Sequence, residues 1–182
     1  KGYRDSAKMI DDTCKYFVPT YAMHRPAVRD ICKGKLFEPK THELVQTLCK
    51  YKSGSIIHAG TFFGDMLPNF SKFVDGFVYA FEPVLENFIL AKLLVDANEL
   101  SNVFLINSAL SASISNMRIN TVQKGNLHAG GASCISEYGQ ICTALKIDSL
   151  GALNIILIQL DVEGHELEAL SGAIETIQRC RP

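Results

Sequence analysis

Apolar residues occur in short continuous runs from residue 55 onward. The four runs are Ile56-Ile57, 77–81, 103–106 and 155–160. Their residues do not alternate with polar ones, which is typical of strands that are covered on both faces. Apolar residues recur at helical spacing between the first three runs, at 65–74 and 85–97. Strands that alternate with helices predict an α/β fold with a mostly parallel sheet.

The pattern loosens between the third and fourth runs. Two short strands are predicted there, at 117–122 and 141–147, and an antiparallel pairing is one option for them. After the fourth run a helix is predicted at 166–178, where leucines and isoleucines recur on one side.

The last strand leads to an expectation about the edge of the sheet. A buried strand at 155–160 needs a hydrogen-bonded neighbour on each side, and the first strand supplies one. The other neighbour would come from residues after Pro182, from a second chain, or from the two short strands. Because the sequence stops soon after a predicted helix, we expect a C-terminal truncation or a longer natural chain. Strand 155–160 should then have one open or unusually covered edge.

The first 50 residues give broken helical stripes, which Pro19 and Pro26 interrupt. They predict an N-terminal helical cap over an open core at 1–50, followed by the main domain at 51–182. A substrate-binding lid is the alternative, and the two roles do not exclude each other.

Composition and charge narrow the class of protein. The chain has 182 residues, 47% hydrophobic and 20% charged, with a formal net charge of −1, as expected for one globular domain with its own core. The balanced charge argues against a nucleic-acid partner, and no apolar run is long enough for a membrane helix. We expect a cytoplasmic protein without a membrane partner, and the oligomeric state stays open. Because Lys1 and not Met begins the sequence, a processed or excised piece is expected.

Six cysteines are present, Cys14, Cys32, Cys49, Cys134, Cys142 and Cys180. None of them forms a C-x-x-C pair, which argues against a zinc ribbon or a redox motif. A chain of this size does not need disulfides for its stability, so we expect reduced and mostly buried thiols.

Glycines and polar residues follow all four apolar runs. They are Gly60-Thr61-Phe62-Phe63-Gly64, Glu82-Pro83, Asn107-Ser108-Ala109 and Asp161-Val162-Glu163-Gly164-His165. Each group has a simpler explanation by itself: two glycines let a helix pack on a strand, and Asp161 or Glu163 would cap the next helix. Ligands of open parallel sheets, however, bind beyond the carboxyl ends of the strands. Together the four groups predict a nucleoside-containing ligand, with Glu82 as the acceptor for both ribose hydroxyls.

The glycine turn narrows the ligand further. Dinucleotide-binding turns usually have three glycines, so that backbone amides can approach a pyrophosphate. Here Phe62 stands in place of the middle glycine and would crowd a pyrophosphate. A ligand with a ribose and an amino-acid tail but no phosphate is favoured, and S-adenosylmethionine has that chemistry.

Over residues 36 to 182 the chain resembles the FkbM family of S-adenosylmethionine-dependent methyltransferases. The most distinctive stretch is ILIQLDVEGHELEALSGA, in which D-V-E-G-x-E follows a buried strand. The other stretches are LFEPKTHELV, IIHAGTFFGD, VYAFEPVLENFILAKLLVDANELSNVFLINSALS and GGASCISEY. The resemblance implies a Rossmann-like class I methyltransferase fold with S-adenosylmethionine as the cofactor. It also implies O-methylation of a hydroxyl on a small molecule, sugar or other glycan.

The resemblance implies roles for individual residues as well. The residues expected to bind the cofactor are His58, Ala59, Gly60, Thr61, Phe62, Gly64, Asp65, Phe81, Glu82, Pro83, Asn107, Ser108, Ala109 and Asp161. Gly60, Thr61 and Gly64 would line its methionine end. Glu82 would hold the ribose, and Ser108 with its two neighbours would lie by the adenine.

His58 and Phe62 depart from the family pattern. The family usually has an acid at the position of His58, which helps to orient the ammonium group of the cofactor. A neutral histidine accepts a hydrogen bond but supplies no negative charge. The departures predict an altered cofactor pose or a weakened enzyme, and they support the alternative of a non-catalytic nucleoside-binding module. A nicotinamide-dependent enzyme is a further alternative, against which the missing glycine counts.

Methyl transfer to a hydroxyl is helped by a general base. The expected catalytic residues are Asp161, Glu163 and His165, in that order. A divalent metal held by these three residues is a minor alternative. His128 and Lys124 would reach the site only from a flexible, glycine-rich loop.

Overall fold

The computed structural model describes residues 7–10, 14–122 and 129–182. Its strands are β1 Ala7–Ile10, β2 Cys14–Phe17, β3 Ser55–Ala59, β4 Val78–Phe81, β5 Val103–Ile106, β6 Ala109–Leu110, β7 Ser115–Asn120, β8 Cys134–Ser136, β9 Gln140–Leu145 and β10 Ile155–Leu160. Its α-helices are α1 Pro26–Cys32, α2 Pro39–Tyr51, α3 Leu67–Phe73, α4 Leu85–Ala97, α5 Glu166–Ser171 and α6 Ile174–Cys180. In the part of the chain that is described, none of the helices has the length and the apolar character needed to cross a membrane.

Four parallel strands form the main sheet, in the order β10-β3-β4-β5. Ala59 lies opposite Leu160 on one side and opposite Phe81 on the other, and Phe81 lies opposite Ile106. The four strands therefore end at one common edge of the sheet. The predicted α/β fold with a mostly parallel sheet is confirmed.

A second sheet has the order β6-β9-β7-β8. The two short strands that the sequence predicts are β7 and β9, and they pair antiparallel with each other. They consequently do not cover β10, which among the described residues pairs with β3 alone. The predicted open edge of β10 is confirmed.

The prediction of helix at the N-terminus is wrong for residues 7–10 and 14–17. β1 and β2 form an antiparallel hairpin, and in β2 Cys14 and Tyr16 are buried while Lys15 is exposed, which is the period of a strand. Asn98 holds the hairpin against the end of α4: its Oδ1 accepts from the Lys15 amide at 2.8 Å and its Nδ2 donates to the Lys15 carbonyl at 2.7 Å. Such a distant contact is invisible in the local apolar pattern.

Buried side chains form a core on each face of the main sheet. One core contains Ile56 and Val78 and continues into the N-terminal segment through Val28. The other contains Ile57 and Phe81. Neighbouring residues of a strand point to opposite faces, so the continuous apolar runs serve both cores. Each large side chain that is fully buried contributes about 1.5–3 kcal/mol.

The helix predicted at 166–178 is two helices, α5 and α6, with a break at Gly172. A Cβ atom on Gly172 would lie 2.1 Å from the carbonyl oxygen of Ser111, so only glycine permits this approach. Asp148 accepts hydrogen bonds from the amides of Glu175 and Thr176, at 3.3 and 2.8 Å, and so satisfies the first turn of α6. The apolar stripe runs through both helices and does not reveal the break.

All six cysteines are free thiols. Cys14 and Cys142 are buried, and the other four are partly exposed. Fewer of the thiols are buried than the sequence predicts.

Candidate functional site

Two pockets lie at the carboxyl ends of the main strands. The apolar pocket is lined by Ala59, Gly60, Phe81, Glu82, Pro83, Ser108, Ala109, Leu110, Ile119, Gly130, Gly131, Ser133, Ile135, Asp161, Val162 and His165. The charged pocket is lined by Arg25, Pro26, Ala27, Phe37, His58, Gly60, Phe62, Asp65, Met66, Gly131, Gln159, Asp161 and Glu163. Gly60, Gly131 and Asp161 line both pockets, which places the two side by side.

Gly60 follows β3 in the chain and packs closely against the residue that follows β10. Its φ angle is +87°, and a Cβ atom there would lie 1.9 Å from the carbonyl oxygen of Asp161. The Asp161 amide donates to the carbonyl of Ala59 at 3.0 Å. The absence of a side chain on Gly60 therefore fixes Asp161 at the junction of the two pockets.

Phe62 adopts a left-handed backbone conformation, with a φ angle of +52°. This conformation costs about 1–2 kcal/mol for a residue with a side chain, and the hydrogen bond that its amide donates to Glu82 Oε2, at 2.8 Å, offsets that cost. The ring lies under the loop at Gly130 and Gly131, where added Cβ atoms would be 3.1 and 3.2 Å from ring carbons. Phe62 thus supports the loop that borders both pockets.

Glu82 is 4% exposed and accepts three hydrogen bonds from the protein. Besides the Phe62 amide, which bonds to Oε2, its Oε1 accepts from the Val84 amide at 2.9 Å and from Asn87 Nδ2 at 3.3 Å. Burial raises the pKa of its carboxyl to about 7, although the hydrogen bonds oppose the rise. Since a carboxylate has about four acceptor positions, one position is left for a ligand donor. The sequence predicts that Glu82 accepts hydrogen bonds from two ribose hydroxyls, whereas this count leaves one acceptor position for a ligand.

Each pocket has one buried polar atom without a partner among the described residues. In the apolar pocket it is Ser108 Oγ, and in the charged pocket it is His58 Nε2. His58 Nδ1 is hydrogen-bonded to Gln159 Oε1, which can only accept, so Nδ1 carries the proton. Burial lowers the pKa of His58 to about 4. The ring is therefore neutral at pH 7, and Nε2 is an acceptor that a ligand donor would satisfy.

Carboxylates dominate the charged pocket. Asp65 is 7% exposed, and burial raises its pKa to about 7, with a further rise from the charges of Glu38 and Asp161. Partial burial followed by neighbouring carboxylates also raises the pKa of Asp161, and the pKa of Glu163 is raised in the same way. Arg25 opposes both of these rises, and it is the one arginine or lysine among the described residues that line this pocket.

The three expected catalytic residues do not converge on one point. Asp161 lines both pockets, Glu163 lines only the charged pocket, and His165 lines only the apolar pocket. Glu166 stabilises the turn that carries them. Its Oε1 accepts hydrogen bonds from the amides of residues 162 and 164, both at 3.2 Å. Neither Asp161 nor Glu163 caps the helix as the simpler explanation expects, because α5 begins after His165 without a side-chain cap hydrogen bond.

His165 is not a freely exposed side chain. Its Nε2 lies 3.3 Å from Ser111 Oγ, and its Nδ1 lies 3.7 Å from Glu168 Oε2. These two contacts orient the ring along the wall of the apolar pocket.

Three residues predicted to bind the cofactor line neither pocket. Thr61 Oγ1 donates to the carbonyl of His58 at 3.5 Å. A Cβ atom on Gly64 would lie 3.3 Å from Ala91 of α4, so this glycine allows a helix to pack. Asn107 Nδ2 donates to the carbonyl of Glu82 at 2.8 Å. All three act on the frame of the pockets, and their contact with a cofactor stays a prediction.

Two further expectations concern a metal and the glycine-rich loop. Among residues 7–10, 14–122 and 129–182, no group of three or more histidine, cysteine or acidic side chains is arranged to hold a metal ion. Lys124 and His128 lie outside the described residues.

No signal in the sequence identifies Arg25 as a pocket residue. It belongs to the first 35 residues, which carry no useful resemblance, and one arginine in a polar stretch is not a signal. The residue reaches the pocket because α1 begins directly after it, which no local pattern indicates.

This chain is similar to at least two solved structures. The methyltransferase FkbM of Methylobacillus flagellatus KT has a TM-score of 0.52 and 18% sequence identity, over 71% of this chain and 31% of that one, which shows a shared fold. A SAM-dependent methyltransferase of Aquifex aeolicus has a TM-score of 0.38 and 28% identity, over 56% of this chain and 50% of that one. The chain therefore spans a third to a half of the length of these proteins.

A comparison with curated protein sequences found no match. The family described as "Methyltransferase FkbM domain" matches residues 58–182. This range is more than half of the chain and includes the carboxyl ends of the four strands of the main sheet. This match supports S-adenosylmethionine as the cofactor that the sequence predicts. The chain belongs to the FkbM methyltransferase domain family.

Proposed function

We propose that the chain is an S-adenosylmethionine-dependent methyltransferase domain that methylates a hydroxyl on a small molecule or a sugar. The observation that carries the proposal is the pair of adjoining pockets at the strand ends. One pocket suits a nucleoside and the other suits a charged tail. A ligand that spans Gly60 and Asp161 would fill both, and each pocket has one buried polar atom without a partner among the described residues.

The apolar pocket fits the adenosine part of the cofactor. Phe81, Pro83 and Ile135 supply apolar surface for the base, and Ser108 Oγ is a buried polar atom that the base would satisfy. The remaining acceptor position of Glu82 suits one ribose hydroxyl. We expect the second hydroxyl to bind elsewhere or to displace a protein donor.

Asp161 is our candidate for the general base. The cofactor, when bound, supplies a methyl group on a sulfonium that is already activated for transfer. Asp161 borders both pockets, and its raised pKa brings its basicity closer to neutral pH, where proton transfer from a hydroxyl is most efficient. We place the acceptor hydroxyl beside Asp161 for these reasons.

His165 is the second candidate for the base. Ser111 and Glu168 hold its ring, and histidine is the side chain that most often serves as a general base. Its position in the apolar pocket, away from Glu163, makes it the weaker candidate because the adenosine part would occupy the space in front of it.

A nucleoside-binding module without transfer is the alternative function. The observation that favours it is the neutral His58 at the end of β3, which supplies no charge to the cofactor's ammonium group. The two functions differ in one measurable respect, since only the enzyme releases S-adenosylhomocysteine.

Calorimetry and turnover test the proposal together. We expect S-adenosylmethionine and S-adenosylhomocysteine to bind and NAD not to bind. A panel of hydroxylated acceptors should then yield S-adenosylhomocysteine, with a loss of about 100-fold or more in kcat for Asp161→Asn. Asp96→Asn, on the exposed side of α4, is the control and should behave like the wild type.

Either of two results would contradict the proposal. Failure of both S-adenosyl compounds to bind would remove the cofactor assignment. Binding without turnover on any acceptor of the panel would favour the binding module.

A further inference from the structure

Arg25 is the positively charged side chain of the charged pocket among the described residues, and its charge acts on Asp161 and Glu163 without a direct ion pair to either. Its guanidinium makes no hydrogen bond or ion pair within that part of the chain, whereas Arg29 on the following helix donates from Nη1 to the carbonyl of His24 at 3.0 Å. The side-chain stem of Arg25 passes over Gly130, where an added Cβ would lie 3.2 Å from Arg25 Cγ. The loop thus directs this side chain along the border of the pocket.

Asp65 is the buried counterpart of Arg25. Its carboxyl lines the same pocket and has no side-chain hydrogen-bond partner among the described residues; its own backbone amide is the donor that favours ionisation. His58, which lines the pocket too, has a buried acceptor without a described partner, Nε2. A ligand donor with positive charge would satisfy both side chains.

The combination of charges selects one class of ligand. A ligand with only positive charge would leave Arg25 without a direct ion pair among the described residues, and a ligand with only negative charge would face Asp65, Asp161 and Glu163. A zwitterionic α-amino-acid group carries an ammonium and a carboxylate on adjacent atoms and satisfies both signs. Charge-assisted hydrogen bonds of this kind are the strong ones in proteins.

We propose that Arg25 binds the carboxylate, and Asp65 the ammonium, of the amino-acid end of the cofactor, so that the N-terminal segment completes the cofactor site. The inference rests on the proposed function. It assigns to Asp65 the negative charge that His58 does not supply. The neutral His58 adds a hydrogen-bond acceptor for the same ammonium.

Three ligands separate the two contacts. S-adenosylhomocysteine has both charged groups, its decarboxylated analogue has only the ammonium, and methylthioadenosine has neither. Each is titrated by calorimetry into the wild-type chain, Arg25→Gln, Asp65→Asn and the matched control Arg29→Gln. Circular dichroism and thermal unfolding check that each variant is folded.

We expect a different pattern for each variant. Arg25→Gln should lose about 10- to 100-fold in affinity for S-adenosylhomocysteine and keep its affinity for the other two ligands. Asp65→Asn should lose a similar factor for both ligands that carry an ammonium and none for methylthioadenosine. Arg29→Gln should match the wild type throughout, and Arg25→Lys, which keeps the charge, should lose less than Arg25→Gln.

Two results would overturn the inference while leaving the proposed function intact. One is an unchanged affinity of Arg25→Gln for S-adenosylhomocysteine in a wild type that binds it. The other is an equal loss for all three ligands, which would indicate a general structural defect. If the wild type binds none of the three ligands, the proposed function itself fails, and the inference fails with it.

Discussion

The two pockets share a wall but are built in different ways. The apolar pocket comes entirely from residues at or after the end of β3, within the region that the family match covers. The charged pocket adds Arg25, Pro26, Ala27 and Phe37 from the N-terminal segment. The polar groups also differ, because Glu82 is held by three protein donors while Asp65 and Arg25 lack side-chain partners among the described residues. The polar groups of the apolar pocket are thus held by the protein itself, whereas the charged pocket depends on the packing of the N-terminal segment.

The largest effect on stability is expected at Gly60, which lines both pockets. Gly60→Ala would put a Cβ 1.9 Å from the Asp161 carbonyl, so the end of β10 has to move, and we expect a loss of about 3 kcal/mol or more in the free energy of unfolding. Gly151 is the matched control, since its φ is also positive, at +59°, and nothing lies within 4 Å of an added Cβ. Gly151→Ala should cost only about 1–2 kcal/mol. Equal losses in urea denaturation would mean that the close approach at Gly60 does not matter.

A second prediction compares the two buried carboxyls through pH. The native pKa values of Glu82 and Asp65 are both about 7, above their unfolded values of 4.5 and 3.8. Between about pH 4.5 and 7 the folded state keeps protons that the unfolded state has released, so the free energy of unfolding falls as the pH rises, and the fall ends above pH 7. Burial of each charged form is the cause.

Urea denaturation at several pH values between 5 and 8 measures this fall. We expect a decrease of about 1–3 kcal/mol from each group, and Glu82→Gln and Asp65→Asn should each remove part of it. If Asp65→Asn flattens the curve and Glu82→Gln does not, the hydrogen bonds to Glu82 keep it ionised, and the contrast between the pockets becomes sharper. A stability that rises with pH in this range would show that neither carboxyl is protonated in the folded state.

The smallest effect is expected for the polar atom of the apolar pocket. Ser108→Ala removes a hydroxyl that has no partner among the described residues, so the stability of the free chain should stay the same or rise slightly. Affinity for methylthioadenosine should fall by about 3- to 10-fold. Calorimetry with Ser113→Ala, which changes an exposed serine, is the control. An unchanged affinity would remove Ser108 from the ligand contacts.

The sequence predicts the parts of this fold that are encoded locally. Continuous apolar runs identify β3, β4, β5 and β10, and the residues that follow them line the pockets because parallel strands end at one edge. The hairpin of β1 and β2 was not predicted, since it depends on Asn98 across 83 residues. The break at Gly172 depends in the same way on a distant carbonyl, that of Ser111.

The candidate site also contains residues that the local sequence identifies and residues that it does not. His58, Glu82 and Asp161 are found from their positions after or within strands. Arg25 is not, because only the packing of α1 brings it to the pocket. The bond from the Phe62 amide to Glu82 was not predicted either, and it changes the expected role of Glu82 from a pure ligand acceptor to a support of the glycine turn.

Phe62 and the two glycines above its ring limit the order in which substitutions can accumulate. A Cβ atom added at Gly130 or Gly131 would lie 3.1 or 3.2 Å from carbons of the Phe62 ring, so the ring or the loop would have to shift. A smaller residue at 62 by itself would leave a gap under the loop. We therefore expect substitutions at the three positions to be coupled, and an engineered library that aims to reshape the pockets should vary them together.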